Sequence, residues 1–190
     1  MESSIFAIEI AARLDRAPNL LPVLRSAIVD QQAAVGLQAK WSHYRRAAQA
    51  IHGSLGMVEK GCWDYFEEHQ KAESDFKMWL GGMTTEEAAR RQPSGRPDPY
   101  RGDPRYLTFT MAFLIVRPSP TDFAMRKLCD IPEAHLWRRD TFARILGGMG
   151  VINFASVKSD VMYLVPRDDD WGLTVDDMAQ PHFHYLRPLV

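Results

Sequence analysis

The sequence lacks an apolar run long enough to cross a bilayer, since none approaches the ~20 residues that a spanning helix needs. It is also poor in cysteine, with only Cys62 and Cys129, and a chain of 190 residues that is 46% apolar can build a core without disulfides. Its first residues carry Glu2 and no basic cluster, which is not typical of a signal peptide. We therefore expect a cytoplasmic protein with reduced thiols and no membrane span.

An excess of either charge is missing as well. The 23 lysines and arginines are balanced by 24 aspartates and glutamates, which gives a formal net charge of −1. Proteins that bind nucleic acid neutralise phosphates with basic side chains, so we expect no nucleic-acid partner. Arginines and tyrosines do alternate between residues 90 and 106, but aspartates interrupt them, and an exposed linker is the favoured interpretation.

No combination of a nucleophile with a base is evident. Cys62 and His69 fall on an apolar stripe, where a packed thiol and a hydrogen-bonded core histidine are the ordinary expectation. The glycines of residues 147–150 follow a helical pattern instead of preceding one, so they predict a helix stop and not a phosphate-binding loop. These absences favour a protein that is not an enzyme and has no cofactor, although an enzyme stays open.

The most regular pattern is a stripe of apolar residues that runs from Leu37 to Met83 with alternating spacings of four and three. This spacing predicts helix, and Gly53, Gly56 and Gly61 predict an interruption, so two antiparallel helices are favoured over one kinked helix. Upstream, Asn19 is a candidate N-cap for a further helix. The first residues alternate like a strand, but the propensity of their alanine-rich centre favours helix.

Residues 93–105 contain four prolines and two glycines, which is typical of a connector. We therefore predict a helical region over 1–92, a connector over 93–105 and a small α/β domain over 106–190 that shares a core with the helices. In that domain, residues 106–116 and 160–166 read as strands with a helical segment between them. This order predicts a right-handed βαβ crossover with parallel strands. Residues 152–157 fit either a third strand or a loop.

The fold class predicted from the sequence is thus α+β, with an N-terminal helical hairpin or bundle followed by a small α/β unit. The sequence leaves open whether the apolar stripe is covered within the chain or shared with another copy.

Five aspartates near the C-terminus suggest a cation site. Asp168, Asp170 and Gly172 follow part of the rhythm of a calcium loop, but the glycine comes one place early and the twelfth position is Ala179. A turn after Pro166, followed by a helix capped by Thr174 and Asp177, is the favoured alternative.

A pair of histidines is the second candidate. His182 and His184 would share one face of an extended segment at a spacing that zinc accepts, and Asp176 or Asp177 could fold near them. The sequence indicates no third ligand, so a surface tail is favoured. The candidate metal ligands are His182, His184, Asp176, Asp168 and Asp170.

The second half resembles a family of unknown function from bacteria, cyanobacteria and chloroplasts that includes the thylakoid fluctuating-light-acclimation protein. The likeness lies in the strand YLTFTMAFLIV, a helical segment, the strand VMYLVP that ends in proline, an acidic turn, Leu173-Thr174 before a short helix, and the terminal LRPL. It covers about 85 residues at the C-terminal end of the chain. The resemblance implies an α/β domain preceded by helices and carries over no site residue.

Two classes of function follow. The apolar stripe, with abundant aromatic residues and methionines, favours a non-enzymatic interaction or regulatory protein with a protein partner or a second copy of itself. The alternative is a small-molecule-binding or metal-dependent enzyme, with a pocket where helices meet strand ends near residues 117–122 and 166–172.

Overall fold

A computed structural model describes residues 2–81, 102–166 and 171–190. The chain alternates strands with single helices or pairs of helices. The elements in chain order are β1 (Glu2–Arg13), α1 (Leu20–Ala33), α2 (Leu37–Gly53), β2 (Val58–Phe66), α3 (His69–Gly81), β3 (Tyr106–Arg117), α4 (Pro120–Leu128), α5 (Arg139–Gly148), β4 (Val157–Val165), α6 (Val175–Met178) and β5 (Arg187–Pro188).

The strands form one sheet in the order β4-β3-β1-β2-β5, and every neighbouring pair is antiparallel. β1 lies in the centre and pairs over most of its length with both β2 and β3. Strands from both halves of the sequence therefore build the same sheet.

Each face of the sheet is covered by helices. On the first face, Phe6, Ile8 and Ile10 of β1 pack in a core with residues of α1, α2 and α5. On the second face, Ile5 and Ala7 pack with α3 and with residues from the C-terminal end of the chain. Successive side chains of a strand point to opposite faces, so β1 supplies both cores in alternation.

The predicted N-terminal helical hairpin is wrong, because the described chain begins with β1 and the segment between α2 and α3 is the strand β2. Positions 3–12 are all buried, since β1 is covered on both faces. A strand covered on both faces shows an almost continuous apolar run, and such a run does not distinguish strand from helix. Helix propensity was then a poor guide, because tertiary pairing outweighs it.

The described part of the apolar stripe, from Leu37 to Trp79, lies in a helix, a strand and a second helix instead of two helices. Its residues in α2 and α3 do lie at helical spacing, but those from Val58 to Tyr65 lie in β2. Aromatic and β-branched residues favour a strand at this place, where Trp63 and Tyr65 face one side and Cys62 the other. Gly61 is required there, because an added Cβ would lie 2.6 Å from Cε1 of Phe142 in α5.

The predicted βαβ crossover with parallel strands is also wrong. β3 and β4 are antiparallel neighbours. The predicted elements did not include α4, which begins after Ser119. The side chain of Ser119 accepts a hydrogen bond from the backbone N–H of Asp122 at 3.1 Å. A single connecting helix returns the chain to the end of the sheet where the preceding strand began, so the next strand runs in the same direction. The two helices α4 and α5 instead leave the chain at the end of the sheet where β3 finishes, so β4 runs antiparallel to β3.

Several local predictions are confirmed. β3 and β4 lie where strands were expected, and β4 ends at the residue before Pro166. Thr174 and Asp177 form a complete capping box at the start of α6. Residues Phe154–Ser156 form a 3₁₀ turn, so the loop alternative holds for most of 152–157. Most of the predicted connector, residues 93–101, lies outside the described residues.

Within the described ranges, no helix is both long enough and apolar enough to cross a membrane.

Candidate functional site

A row of four polar side chains crosses the second face at the middle of the sheet. Glu9 of β1 lies opposite Cys62 of β2 and Thr110 of β3, and Thr110 lies opposite Tyr163 of β4. Directly opposed residues of antiparallel strands place their side chains next to each other on one face. The register of four strands therefore gathers polar groups from distant parts of the sequence.

A cavity of about 420 Å³ opens above this row. Its floor includes Glu9, Cys62, Thr108 and Tyr163 of the sheet, and its remaining lining comes from Asp64, Val165, α3 and the C-terminal segment. The lining residues from α3 and the C-terminal segment are Met78, Trp79, Gly81, His182, Phe183 and Tyr185. The cavity thus has mainly apolar and aromatic walls over a floor that carries acidic groups.

Glu9 is the most deeply buried charged side chain of this cavity, with 1% of its surface exposed. The hydroxyl of Tyr185 donates a hydrogen bond of 2.9 Å to its Oε2. Thr108 and Thr110 are buried on the same face and close enough to favour the ionised carboxylate, but neither hydroxyl forms a hydrogen bond of ordinary geometry. A carboxylate has about four acceptor positions, so Glu9 keeps acceptor capacity beyond the hydrogen bond from Tyr185.

Burial controls the protonation of these groups. It raises the pKa of Glu9 to about 7, against the smaller opposing effect of hydrogen bonds, of which the one from Tyr185 is the largest. Burial likewise raises the pKa of Asp64 to about 6 and that of the Cys62 thiol to about 12. It also raises the pKa of the Tyr163 and Tyr185 phenols. Near neutral pH the cavity therefore holds a carboxyl group close to its titration point, beside a protonated thiol.

A second buried carboxylate, Asp122, lies on the first face and has a different environment. It accepts hydrogen bonds from Ser4 Oγ at 2.6 Å, from the Tyr65 hydroxyl at 2.9 Å and from Arg117 Nε at 3.3 Å. Arg117 also donates to the backbone carbonyl of Glu67. This cluster holds the start of α4 against β1 and β2. Residues 117–122, expected to line a pocket, belong to this cluster and not to the cavity on the second face.

The candidate metal ligands that the structure describes are His182, His184 and Asp176, and they are not gathered into a metal site. His182 lines the cavity, whereas Nε2 of His184 donates a hydrogen bond to the carbonyl oxygen of Ala179 at 2.9 Å. The segment that contains both is not extended, because Pro181–Phe183 forms a 3₁₀ turn. Asp176 lies exposed in α6, and Asp168 and Asp170 lie outside the described residues. Among residues 2–81, 102–166 and 171–190, no group of three histidine, cysteine or acidic side chains is placed to hold a metal ion.

The site residues predicted from the sequence did not include Glu9, Asp64 or Tyr185. A detectable signal was present for Glu9, because it is the only charged residue between Ser3 and Ala12, in a run where apolar residues alternate like a strand. Its partner Tyr185 is separated from it by 176 positions, and no local pattern connects the two.

Comparisons of the chain with protein-family models, with curated proteins and with solved structures found no match. The family resemblance of the C-terminal half therefore stays a prediction.

Proposed function

We propose that this protein is a small-molecule-binding protein whose ligand occupies the cavity on the second face. The observation that carries this proposal is the combination of an open cavity of about 420 Å³ with a buried, incompletely hydrogen-bonded carboxylate in its floor. Ligand sites in proteins typically have volumes of ~300–1,000 Å³, apolar walls and a few polar groups that orient the ligand. The cavity has each of these properties.

The interaction function expected from the sequence loses its main support. It depended on a long apolar stripe available to a partner, but Tyr44, Ile51 and Val58 of that stripe are buried in the first core, and Ala72 and Phe76 in the second. A protein partner and a cytoplasmic location stay predictions.

Binding is favoured over covalent catalysis by the state of the thiol in the cavity. The thiol of Cys62 is the candidate nucleophile in the cavity floor. Its pKa of about 12 keeps it protonated near neutral pH. A thiol is a good nucleophile only as its thiolate. The resemblance to the family of unknown function carries over no site residue, so the proposal rests on the cavity alone.

The proposal is tested with 2-naphthylmethanol, a neutral probe whose two-ring body is small enough for the cavity. We expect it to bind with a Kd of about 2 mM or tighter, because ligands of this size gain roughly 0.3 kcal/mol or more per heavy atom. In methyl NMR spectra, the resonances of Met78 and Val165, which line the cavity, should shift on titration. Those of Met125 and Met149, which are buried in the first core, should not.

A variant that fills the cavity provides a second test of ligand binding. Cys62→Phe places a ring in the floor and should weaken binding of 2-naphthylmethanol by about tenfold or more, whereas Cys62→Ala keeps the space open and should bind as the wild type does. Should the Phe variant not fold, the methyl shifts of the wild type still decide the matter. Absence of shifts at Met78 and Val165, or equal shifts on both faces, overturns the proposal.

A further inference from the structure

We infer that the cavity selects an organic cation: an ammonium or amidinium group attached to an apolar, preferably aromatic, body. This inference rests on the proposed function, because it names the chemical class of the ligand for the same cavity. The charged group would lie over the row that contains Glu9, and the apolar body would pack against α3 and the C-terminal segment.

The charges around the cavity support a cationic ligand. The described residues that line it include Glu9 and Asp64 and no lysine or arginine. The basic groups nearby have other contacts, since Lys71 Nζ lies 3.7 Å from Asp75 and 3.0 Å from the centroid of the Phe66 ring. Arg187 lies near enough to Cys62 to favour its thiolate, but it lies outside the lining. Among the described residues of the lining, an anion would therefore meet two carboxyl groups and no lysine or arginine, with His182 as the one basic side chain.

Unused hydrogen-bonding capacity points to a ligand that donates. Tyr185 supplies one hydrogen bond to Glu9, which leaves acceptor positions on a side chain that is 99% buried. The Thr108 hydroxyl, 1% exposed, lines the cavity beside Glu9 and makes no hydrogen bond of ordinary geometry with the described residues. Buried polar groups are satisfied in most proteins, and an ammonium group offers up to three donors to such acceptors.

The aromatic walls add a second attraction for a cation. Trp79, Tyr163 and Tyr185 line the cavity, and the rings of Trp79 and Tyr185 meet edge to face with their centroids 5.9 Å apart. The faces of such rings attract ammonium and amidinium groups, and the attraction is larger where water is excluded. A neutral ligand of the same shape gains only the apolar part of this interaction.

Binding of a cation couples to protonation of the cavity. Glu9 has a pKa of about 7, so near neutral pH much of it is protonated, and a bound ammonium group would displace that proton into solvent. Affinity should therefore rise as the pH rises through 7. In the part of the chain that the structure describes, the other titratable groups that line the cavity are Asp64 and Cys62 from β2, Tyr163 from β4, and His182 and Tyr185 from the C-terminal segment. Asp64, with a pKa of about 6, acts in the same direction at slightly lower pH.

The test compares three probes of one shape near pH 8: 2-naphthylmethylamine, which is a cation, 2-naphthylmethanol, which is neutral, and 2-naphthoate, which is an anion. We expect the amine to bind about tenfold or more tightly than the alcohol, and the naphthoate most weakly, because a charged hydrogen bond is stronger than a neutral one. Between about pH 6 and pH 8 the affinity for the amine should rise by about tenfold, while that for the alcohol stays constant.

Two variants test whether the preference for a cation depends on Glu9. Glu9→Gln should bring the affinity for the amine to within about twofold of the affinity of the same variant for the alcohol. Glu73→Gln is the matched control, because this substitution removes the same charge outside the cavity. Glu73 pairs on the surface with Lys158 at 2.6 Å. Should Glu9→Gln not fold, Asp64→Asn and the pH series of the wild type provide the readout.

The outcomes separate the two proposals. Binding of none of the three probes overturns both the proposed function and the cation preference. Binding of the alcohol as tightly as the amine in the wild type, or an amine affinity that does not depend on pH, overturns the cation preference and leaves the binding function intact.

Discussion

Two buried carboxylates on opposite faces of one sheet have contrasting surroundings. Glu9 and Asp122 are each 1% exposed. Asp122 receives three side-chain hydrogen bonds, one of them from the guanidinium of Arg117, and lies where β1, β2 and α4 meet. Glu9 receives one hydrogen bond of ordinary geometry, from the phenol of Tyr185, and faces a cavity.

The difference separates a structural carboxylate from a binding carboxylate. A buried charge that is paired and hydrogen-bonded fixes the elements that contact it, and its removal leaves the partner groups unsatisfied. A buried carboxyl group with few partners is costly to ionise. Its ionisation becomes favourable only when another group supplies a positive charge and hydrogen-bond donors. By this argument Asp122 serves the fold and Glu9 serves a ligand.

The largest effect on stability is expected at Asp122. Asp122→Ala leaves Ser4, Tyr65 and Arg117 without their acceptor, and loss of one partner of a buried pair costs about 3–5 kcal/mol. Urea denaturation monitored by circular dichroism measures this loss of unfolding free energy. Binding of 2-naphthylmethanol to the folded fraction should be unchanged, because the side chain lies on the other face.

Asp140→Ala is the control for this prediction. Asp140 pairs with Arg138 on the surface, and its side chain is 66% exposed, so its loss should cost less than about 0.5 kcal/mol. A loss at Asp122 no larger than that at Asp140 would show that the buried cluster does not hold α4 to the sheet.

Glu9→Gln should have the next largest effect, and in the opposite direction. The unfolded chain releases the proton of Glu9 near pH 4.5, whereas the folded chain keeps it until about pH 7. The contribution of Glu9 to the stability of the wild type therefore falls as the pH rises from 4.5 to about 7, by roughly 3 kcal/mol in all at about 1.4 kcal/mol per pH unit. Because glutamine does not ionise, the variant should lack this loss, so near pH 8 it should be the more stable protein.

Urea denaturation of both proteins at several pH values between about 4.5 and 8 isolates the contribution of Glu9, because every other titrating group is common to them. Glu73→Gln again serves as the control and should follow the wild type. Parallel curves for the wild type and Glu9→Gln would contradict a raised pKa.

Local chemistry in the sequence predicted part of this fold. The proline after β4 and the Thr174 and Asp177 box at α6 were readable because their causes lie within a few residues. β1 was not predicted, because the helix propensity of its alanine-rich centre outweighed the alternation of its apolar residues in the prediction, whereas pairing with two strands decides the structure. The direction of β4 depended on α4, whose helical pattern is only nine residues long.

The candidate site was less accessible from the sequence. Its floor depends on the register of four strands, which aligns Cys62, Glu9 and Thr110 in one row although they lie far apart in the chain. Spacing along the sequence instead drew attention to His182 and His184, which a 3₁₀ turn separates in space. Register is set by which faces are buried and how turns join the strands, and neither is visible before the topology is known.

The most direct test of the contrast between Glu9 and Asp122 is a carbon-13 NMR titration of the side-chain carboxyl of Glu9, assigned by its loss in Glu9→Gln, with and without 2-naphthylmethylamine. We predict a pKa of about 7 in the free protein and a clearly lower pKa in the presence of the amine, because the bound cation stabilises the ionised carboxylate. A pKa near the ordinary value of 4.5 in the free protein, or one that the amine does not change, would contradict the assignment of Glu9 as a ligand-binding carboxylate.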